Sequence, residues 1–270
     1  MAAKWPESGR FEPKLMRYLL FACDYDSTLA EEGRVLPSTL AALQRLAASG
    51  RKLVLVTGRA LGDLCNVFPE YATFHRIVAE NGAILFTPAT RESKVLADPP
   101  HQEFVDALRA AGVRPLDVGR SIVSTVKPED TTVLRVIREL GLEMQVIYNR
   151  DAVMVLPSRV NKGTGLGAAA TDLGLSLHNA VGIGDAENDH SLLGVCERRV
   201  AVANAIPTLK ERADFVTSDP AGKGVEQLVG KLLLDDLRSL ERQSPRHPVL
   251  LETGTEGNDV TINSCGRSKS

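Results

Sequence analysis

The stretch YLLFACDYDSTL, residues 18–29, joins an apolar run directly to two closely spaced carboxylates. Tyr18 to Cys23 is apolar throughout and bounded by polar residues, which predicts a buried strand. Asp24 and Asp26 follow where that strand ends. Two carboxylates at such a position can hold a hard cation, or one can attack an electrophile while the other transfers protons. Taken alone, the same pattern is equally compatible with a helix cap or a surface turn.

Outward from this strand, short apolar runs alternate with helical patterns. The alternation predicts an α/β fold with a doubly wound, Rossmann-like parallel sheet covered on both faces. Glu80-Asn81-Gly82 is a tight-turn signal between two strand pieces. Before residue 87, the sequence predicts strands at 18–23, 52–57, 76–79 and 83–86 and helices at 38–49 and 60–67. After residue 157, it predicts helices at 163–173, 188–195, 206–212 and 224–237 and strands at 180–184, 200–202 and 214–216.

The pattern changes between about residues 87 and 157. A helix at 102–111, a strand at 121–126, a helix at 129–140 and a hairpin of strands at 144–148 and 152–156 predict an inserted α+β unit. The chain therefore divides into a first core part (1–86), an inserted cap (87–157), a second core part (158–238) and a polar tail (239–270). Two apolar triplets in the tail, 249–251 and 260–262, are compatible with a hairpin, a free tail or the start of a truncated second module.

Three further motifs fall at predicted strand ends or helix starts, where ligands bind in open parallel sheets. Thr57-Gly58-Arg59 offers a hydroxyl and backbone N–H groups to an anion, although such a turn is also common without a ligand. Lys162-Gly163 opens a helix, where a lysine opposes the helix dipole unless an anion lies nearby; an exposed lysine is the simpler alternative.

The segment 184–189, Gly-Asp-Ala-Glu-Asn-Asp, clusters acidic groups that repel one another unless a cation or proton compensates. A capped helix start explains only one residue of that cluster.

Composition excludes several classes of protein. The 270 residues are 43% hydrophobic and 24% charged, which excludes a chain that is mostly disordered. A net charge of −2 and 4% aromatic content argue against nucleic-acid and anionic-membrane partners. No apolar run approaches the length of a transmembrane helix. The four cysteines are widely spaced, which argues against a zinc site and fits the cytoplasm.

The four motifs in this order, D-x-D-x-T, T-G-R, K-G and G-D-x-x-N-D, resemble the haloacid dehalogenase (HAD) superfamily of phosphohydrolases. The resemblance covers roughly residues 18–237, and the insertion lies where that superfamily places its type-two cap. The cap pattern looks like the subclass B cap of Cof-like, sucrose-phosphate and trehalose-phosphate phosphatases. Asn81-Gly82 and the fourth motif favour the Cof-like and sucrose-phosphate side. Ser27 stands where the first motif usually carries glycine.

The resemblance implies a role for each motif residue. Asp24 would be the nucleophile that forms an aspartyl-phosphate, and Asp26 would be the general acid and base. The metal implied is Mg²⁺. Thr57, the Gly58 backbone and Lys162 would stabilise the phosphoryl oxygens, and Asn188 would orient the phosphate or Asp24. Metal residues would be Asp24, Asp26 (through its carbonyl), Asp185 and, in support, Asp189; phosphate or substrate residues would be Thr57, Gly58, Lys162 and Asn188, with Asn81 as a further contact to substrate or cap.

The expected activity is hydrolysis of a phosphate monoester of a small metabolite. The cap region 87–157 holds nine basic and ten acidic residues, which favours a neutral leaving group such as a sugar. Two alternatives remain: a phosphomutase of the same fold, and a regulatory, phosphate-sensing domain with little turnover. The sequence decides neither the substrate nor the oligomeric state.

Overall fold

A computed structural model describes residues 16–241 of the chain. Two sheets lie within these residues, one of eight strands and one of four. The predicted tail hairpin at 249–251 and 260–262 lies outside the described residues. None of the helices described is long and apolar enough to cross a membrane.

The larger sheet is mainly parallel and forms the core. Within residues 16–241 its strands are β1 Leu20–Asp24, β2 Lys52–Val56, β3 Arg76–Ala79, β4 Ile84–Thr87, β5 Glu92–Val95, β10 Ala180–Gly184, β11 Arg198–Ala201 and β12 Phe215–Val216. Their order in the sheet is β12-β11-β10-β1-β2-β3-β4-β5, with β4 and β5 antiparallel to their neighbours. All five residues of β1 are buried, so helices cover both faces of the sheet there. The predicted doubly wound α/β core is confirmed.

Helices of the core pack in pairs on this sheet. The ranges are α1 Pro37–Ala48, α2 Leu61–Val67, α5 Lys162–Asp172, α6 Asp189–Gly194, α7 Pro207–Arg212, α8 Ala221–Asp235 and α9 Arg238–Glu241. Helix α1 packs against α8, and α5 packs against α6 and against β2, β3 and β4. Helix α1 begins with Pro37, whose missing N–H costs nothing in the first turn.

The smaller sheet forms the cap. Its strands are β6 Asp117–Val118, β7 Val123–Val126, β8 Met144–Asn149 and β9 Ala152–Pro157, and the cap helices are α3 Gln102–Ala110 and α4 Asp130–Glu139. The sheet is antiparallel, with the order β6-β7-β9-β8. Alternate residues of β9 face opposite sides. Val155 packs with α3 and α4, whereas Met154 and Leu156 form a small apolar cluster with Ala83 of the core.

The structure differs from the predicted boundary at residue 87. Strand β5 pairs with β4 at the edge of the larger sheet, so residues 92–95 extend the core and not the cap. The four residues of β5 are exposed and mostly polar, which suits an edge strand and leaves no hydrophobic pattern to reveal it. Strand β6, only two residues long, was not predicted either. The other predicted helices and strands are present, with ends shifted by a few residues.

Candidate active site

The four motifs meet at the carboxyl edge of the parallel strands. Strand β1 lies between β2 and β10, so the residues that follow these three strands share one crevice. Asp24 ends β1, Thr57 follows β2 and Asp185 follows β10. Lys162 enters the same crevice from the first turn of α5.

Lys162 is the buried cation of the site. Its Nζ donates to Asp24 Oδ1 at 2.5 Å and to Asp189 Oδ1 at 2.7 Å, and the residue is fully buried. Burial lowers the pKa of Lys162, but the carboxylates of Asp189 and Asp24 outweigh it and raise the pKa overall. Asn161 accepts from the backbone N–H of Thr164 and caps the helix, so the lysine starts from a fixed position.

Asp24, Asp185 and Asp189 form a buried carboxylate cluster. One oxygen from each lies within 4.8 Å of the others, a spacing that could hold a metal ion. Burial, followed by the neighbouring charge of Asp189, raises the pKa of Asp24 well above its usual value despite Lys162. The same two causes raise the pKa of Asp185. The cluster therefore favours binding a proton or a cation.

Asp189 holds the loop that carries Asp185. Its Oδ2 accepts the backbone N–H groups of Asp185 at 2.9 Å and Ala186 at 3.0 Å. A Cβ on Gly184 would lie 2.6 Å from Asp189 Cγ, so only glycine permits this approach. Thr28 adds a hydrogen bond to Asp185 Oδ1 at 3.0 Å, which orients that carboxylate from the first motif.

Asp26 lies apart from this cluster, in an ion pair with Arg59. Arg59 Nη2 donates to Asp26 Oδ1 at 2.7 Å and Nε donates to Oδ2 at 2.8 Å. A further N–H of Arg59 reaches Asp63 at 2.5 Å, and the guanidinium lies over the ring of Tyr25. Sequence reasoning placed Arg59 in a motif but missed this partner. Arginine favours this bidentate geometry beside a carboxylate. No spacing in the sequence, however, indicates that Arg59 pairs with Asp26.

Three predicted side chains remain, those of Thr57, Asn81 and Asn188, and all are buried. Thr57 is buried, and its Oγ1 accepts the backbone N–H of Arg59 at 3.1 Å. Asn188 Nδ2 donates to Asn81 Oδ1 at 3.1 Å. Asn81 Nδ2 and Asn188 Oδ1 are buried and lack a hydrogen-bond partner. A buried donor and a buried acceptor without partners are costly unless a ligand satisfies them.

The cap touches the site at three places. Arg150, at the tip of the β8–β9 hairpin, donates to Asp185 Oδ2 at 2.7 Å. Met154 lies against the position where a side chain on Gly58 would be. Glu80, in the core, accepts backbone hydrogen bonds from the cap, a contact that sequence reasoning missed. Arg150 of the cap therefore contacts a predicted metal ligand.

A cavity of about 490 Å³ lies between the second motif and the cap. Its core wall includes Arg59 and Asp63, and its cap wall includes Asp117, Ile122 and Ser124. Two carboxylates thus face the cavity, while its arginine already binds Asp26 and Asp63.

Comparison with known proteins agrees with this geometry. The sequence pattern of one family, described as haloacid dehalogenase-like hydrolase, matches residues 21–110 and 129–229. A phosphoglycolate phosphatase of Methanothermobacter thermautotrophicus is 30% identical over 221 residues, covering 78% of this chain and 97% of the relative. Phosphoglycolate phosphatase 2 of Saccharolobus solfataricus is 31% identical over 221 residues, covering 80% and 92%.

Solved structures share the fold. A haloacid dehalogenase-like hydrolase from Bacteroides thetaiotaomicron superposes with a TM-score of 0.67 at 19% identity, covering 80% of this chain and 99% of that one. A HAD subclass IIB sugar phosphatase superposes with the same TM-score at 20% identity, covering 79% and 98%. The chain belongs to the haloacid dehalogenase-like hydrolases, on their Cof-like side. Within that family it is a phosphatase.

Proposed function

We propose that this phosphatase is a Mg²⁺-dependent hydrolase of a small phosphate monoester, with a sugar as the leaving group, and that it acts through an aspartyl-phosphate. The observation that carries the proposal is the buried arrangement of Asp24, Lys162 and Asp185. It combines a nucleophilic carboxylate, a fixed cation and a second carboxylate at one strand edge. The division into a two-part core and an inserted cap is part of the same proposal.

The carboxylate cluster fits a hard divalent cation. Its three oxygens lie within 4.8 Å of one another, and their mutual repulsion helps to raise the pKa values of Asp24 and Asp185. Asp24, Asp185 and the backbone carbonyl of Asp26 would hold Mg²⁺, and Asp189 would support them by holding the loop. Once bound, the ion would offset the negative charge shared by the carboxylates and the substrate phosphate.

Asp24 and Asp26 carry out the two chemical steps. An oxygen of Asp24 attacks phosphorus while the ester oxygen leaves and takes a proton from the carboxyl of Asp26. A water molecule then attacks the aspartyl-phosphate, gives its proton to Asp26 and releases inorganic phosphate with Asp24 restored. The carboxylate of Asp26 is paired with Arg59, which lines the cavity where a leaving group would lie, so this ion pair opens when Asp26 carries the proton.

The phosphate would be held by groups that still have hydrogen-bonding capacity. Two N–H bonds of Lys162 go to Asp24 and Asp189, which leaves the third for a phosphate oxygen. The hydroxyl of Thr57 and the backbone N–H of Gly58 supply further donors. The unpartnered Nδ2 of Asn81 supplies a further donor, whereas the unpartnered Oδ1 of Asn188 can only accept a hydrogen bond, as from a hydroxyl of the substrate. Charges and donors fixed in this way contribute most of the catalysis in phosphoryl transfer.

The cavity favours a hydroxylated leaving group over a carboxylate. Asp63 and Asp117 would repel the carboxylate of glycolate, but they can accept hydrogen bonds from sugar hydroxyls. Arg59, the cation of the cavity wall, is already shared between Asp26 and Asp63. The relatives named phosphoglycolate phosphatases make phosphoglycolate the second candidate substrate.

A cytoplasmic location belongs to the proposal. Cys23, Cys65 and Cys196 are all free thiols, and Cys23 and Cys196 are buried. Unpaired thiols are stable in a reducing compartment, where metabolites of this kind are also found.

The test is phosphate release from sugar phosphates, phosphoglycolate and p-nitrophenyl phosphate, with and without Mg²⁺. We expect Mg²⁺-dependent release that falls on the order of 10³-fold or more in Asp24→Asn. The matched control is Asp106→Asn, which changes an exposed carboxylate of α3. Mg²⁺ binding without release from any compound would contradict the proposal and favour a phosphate-sensing domain.

A further inference from the structure

Glu80 is a buried carboxylate that the proposed chemistry does not use. It lies in the turn between β3 and β4 and is 2% exposed. Its Oε1 accepts the backbone N–H of Arg120 at 3.0 Å, and its Oε2 accepts those of Ser121 at 2.8 Å and Ile122 at 3.2 Å. A core carboxylate is therefore surrounded by consecutive backbone donors of the cap.

The cap segment that receives Glu80 is shaped for it. We call residues 119–122, which connect β6 to β7, the cap loop. A Cβ on Gly119 would lie 2.8 Å from Glu80 Oε2 and 2.7 Å from Ile122 Cγ2, so the loop wraps the carboxylate only with glycine there. Gly119 N–H closes the loop on the carbonyl of Ile122 at 2.8 Å. Ser121 is fully buried and donates to the carbonyl of Ala97, in the segment that enters the cap.

The backbone of Glu80 is tied to the other wall of the cavity. Its N–H donates at 2.9 Å to the carbonyl of Arg59, the last residue of the second motif. Its φ of 49° lies in the left-handed region, which is unfavourable for a residue with a side chain and persists only where contacts impose it. One residue thus connects Arg59 to the cap loop, and both line the cavity.

We propose that Glu80 is a positioning residue that fixes the cap loop against the second motif and so forms the leaving-group cavity. The proposal rests on the proposed function for its substrate, although the contact itself does not. Without the carboxylate, three backbone N–H groups, two of them buried, lose their acceptor and the cap loop is no longer held in place. Binding of the leaving group should suffer more than binding of the phosphate, because the side-chain hydrogen bonds of Glu80 go to the cap loop, whereas Lys162 is held by Asp24 and Asp189.

The experiment compares Glu80→Gln with wild type by two readouts. Gln keeps the length of the side chain but presents an N–H₂ group to backbone donors. Hydrogen exchange of residues 117–126, followed by mass spectrometry, should become faster in the variant, while exchange of β1 and α8 stays unchanged. The ratio of kcat/KM for the best sugar phosphate to that for acetyl phosphate, whose leaving group is small, should fall about tenfold.

Two further variants separate positioning from general destabilisation. Glu103→Gln, an exposed change on α3, should leave both readouts at wild-type values. Gly119→Ala disturbs the same contact from the cap side and should change both readouts in the same direction as Glu80→Gln. It takes the place of Glu80→Gln in the experiment if Glu80→Gln does not fold.

Each negative result has one meaning. Unchanged exchange in 117–126, or an equal loss of kcat/KM for both substrates, would overturn the role of Glu80. Absence of phosphate release from wild type would instead overturn the proposed function, and the exchange experiment would still decide whether Glu80 holds the cap loop.

Discussion

At the scale of single residues, Lys162 supplies the positive charge that allows two carboxylates to lie close together in the buried site. Its ammonium group pairs with both Asp24 and Asp189, two buried carboxylates that would otherwise repel each other. A lysine at the first position of a helix opposes the dipole, and here two buried hydrogen bonds offset that cost.

Replacement of Lys162 by methionine should therefore affect both stability and catalysis. Leaving the carboxylates without their cation should cost about 3–5 kcal/mol of unfolding free energy. Phosphate release should fall on the order of 10²-fold or more, because a donor to the phosphate is lost. Added Mg²⁺ should raise the Tm of the variant more than that of wild type, as calorimetry would show. Lys94→Met, on the exposed strand β5, is the control. An equal rise of Tm with Mg²⁺ in Lys162→Met and in wild type would contradict this account.

The raised pKa values of Asp24 and Asp185 predict a pH-dependent affinity for Mg²⁺. Burial and neighbouring carboxylates keep protons on these groups to a higher pH than usual, and a protonated carboxyl does not bind metal. Affinity should therefore rise as pH increases through the raised pKa values, with protons released on binding. Titration calorimetry in buffers of different ionisation enthalpy measures both quantities. Affinity that falls with increasing pH would contradict the interpretation.

At the scale of elements, the connection from β10 to α6 shows how backbone geometry places a carboxylate. Gly184 ends the strand, and Asp189 folds back from the helix to accept the N–H groups of Asp185 and Ala186. The carboxylate passes so close to the strand that a Cβ at residue 184 would lie 2.6–2.7 Å from its atoms. The loop is therefore shaped by one glycine and one aspartate acting together.

Gly184→Ala should displace Asp189 and with it the predicted metal ligand Asp185. We expect a loss of about 1–3 kcal/mol in unfolding free energy, as for other overpacked sites, and weaker Mg²⁺ binding. Gly194→Ala is a matched control, because a Cβ there meets nothing within 4 Å. Denaturant unfolding and metal titration measure the two effects. Wild-type metal affinity in Gly184→Ala would show that the loop tolerates the displacement.

At the scale of the whole molecule, the cavity exists only because core and cap meet. Each has its own apolar core, and the small cluster of Ala83, Ile122, Met154 and Leu156 joins them. Asp63 comes from the core wall and Asp117 from the cap wall. The charge that a leaving group meets is thus a property of the assembled molecule.

Removal of one cavity carboxylate should change substrate preference. In Asp117→Asn, kcat/KM for phosphoglycolate should rise relative to that for the best sugar phosphate by about threefold to tenfold, since repulsion of the glycolate carboxylate is reduced. Steady-state kinetics with both substrates measures the ratio. Asp106→Asn, which lies outside the cavity, should leave the ratio unchanged. A ratio that moves toward the sugar phosphate in Asp117→Asn would contradict the proposed leaving group.

The amino-acid sequence alone determined the α/β core, the inserted unit and the place of Asp24, Thr57, Lys162 and Asp185. These features depend on local patterns, and the carboxyl ends of parallel strands necessarily meet at one edge. The functional roles of those residues stay predictions. Strand β5 escaped prediction because an exposed edge strand needs no apolar face.

Only the tertiary structure decided which charged groups meet across the chain. Arg59 pairs with Asp26, Arg150 reaches Asp185, and Glu80 binds the cap loop. These pairs are separated by 33, 35 and 41 positions, and the two that join core and cap depend on how the inserted unit rests on the core. Hydrogen bonds act over about 3 Å, so distant partners are determined only when packing has brought them together.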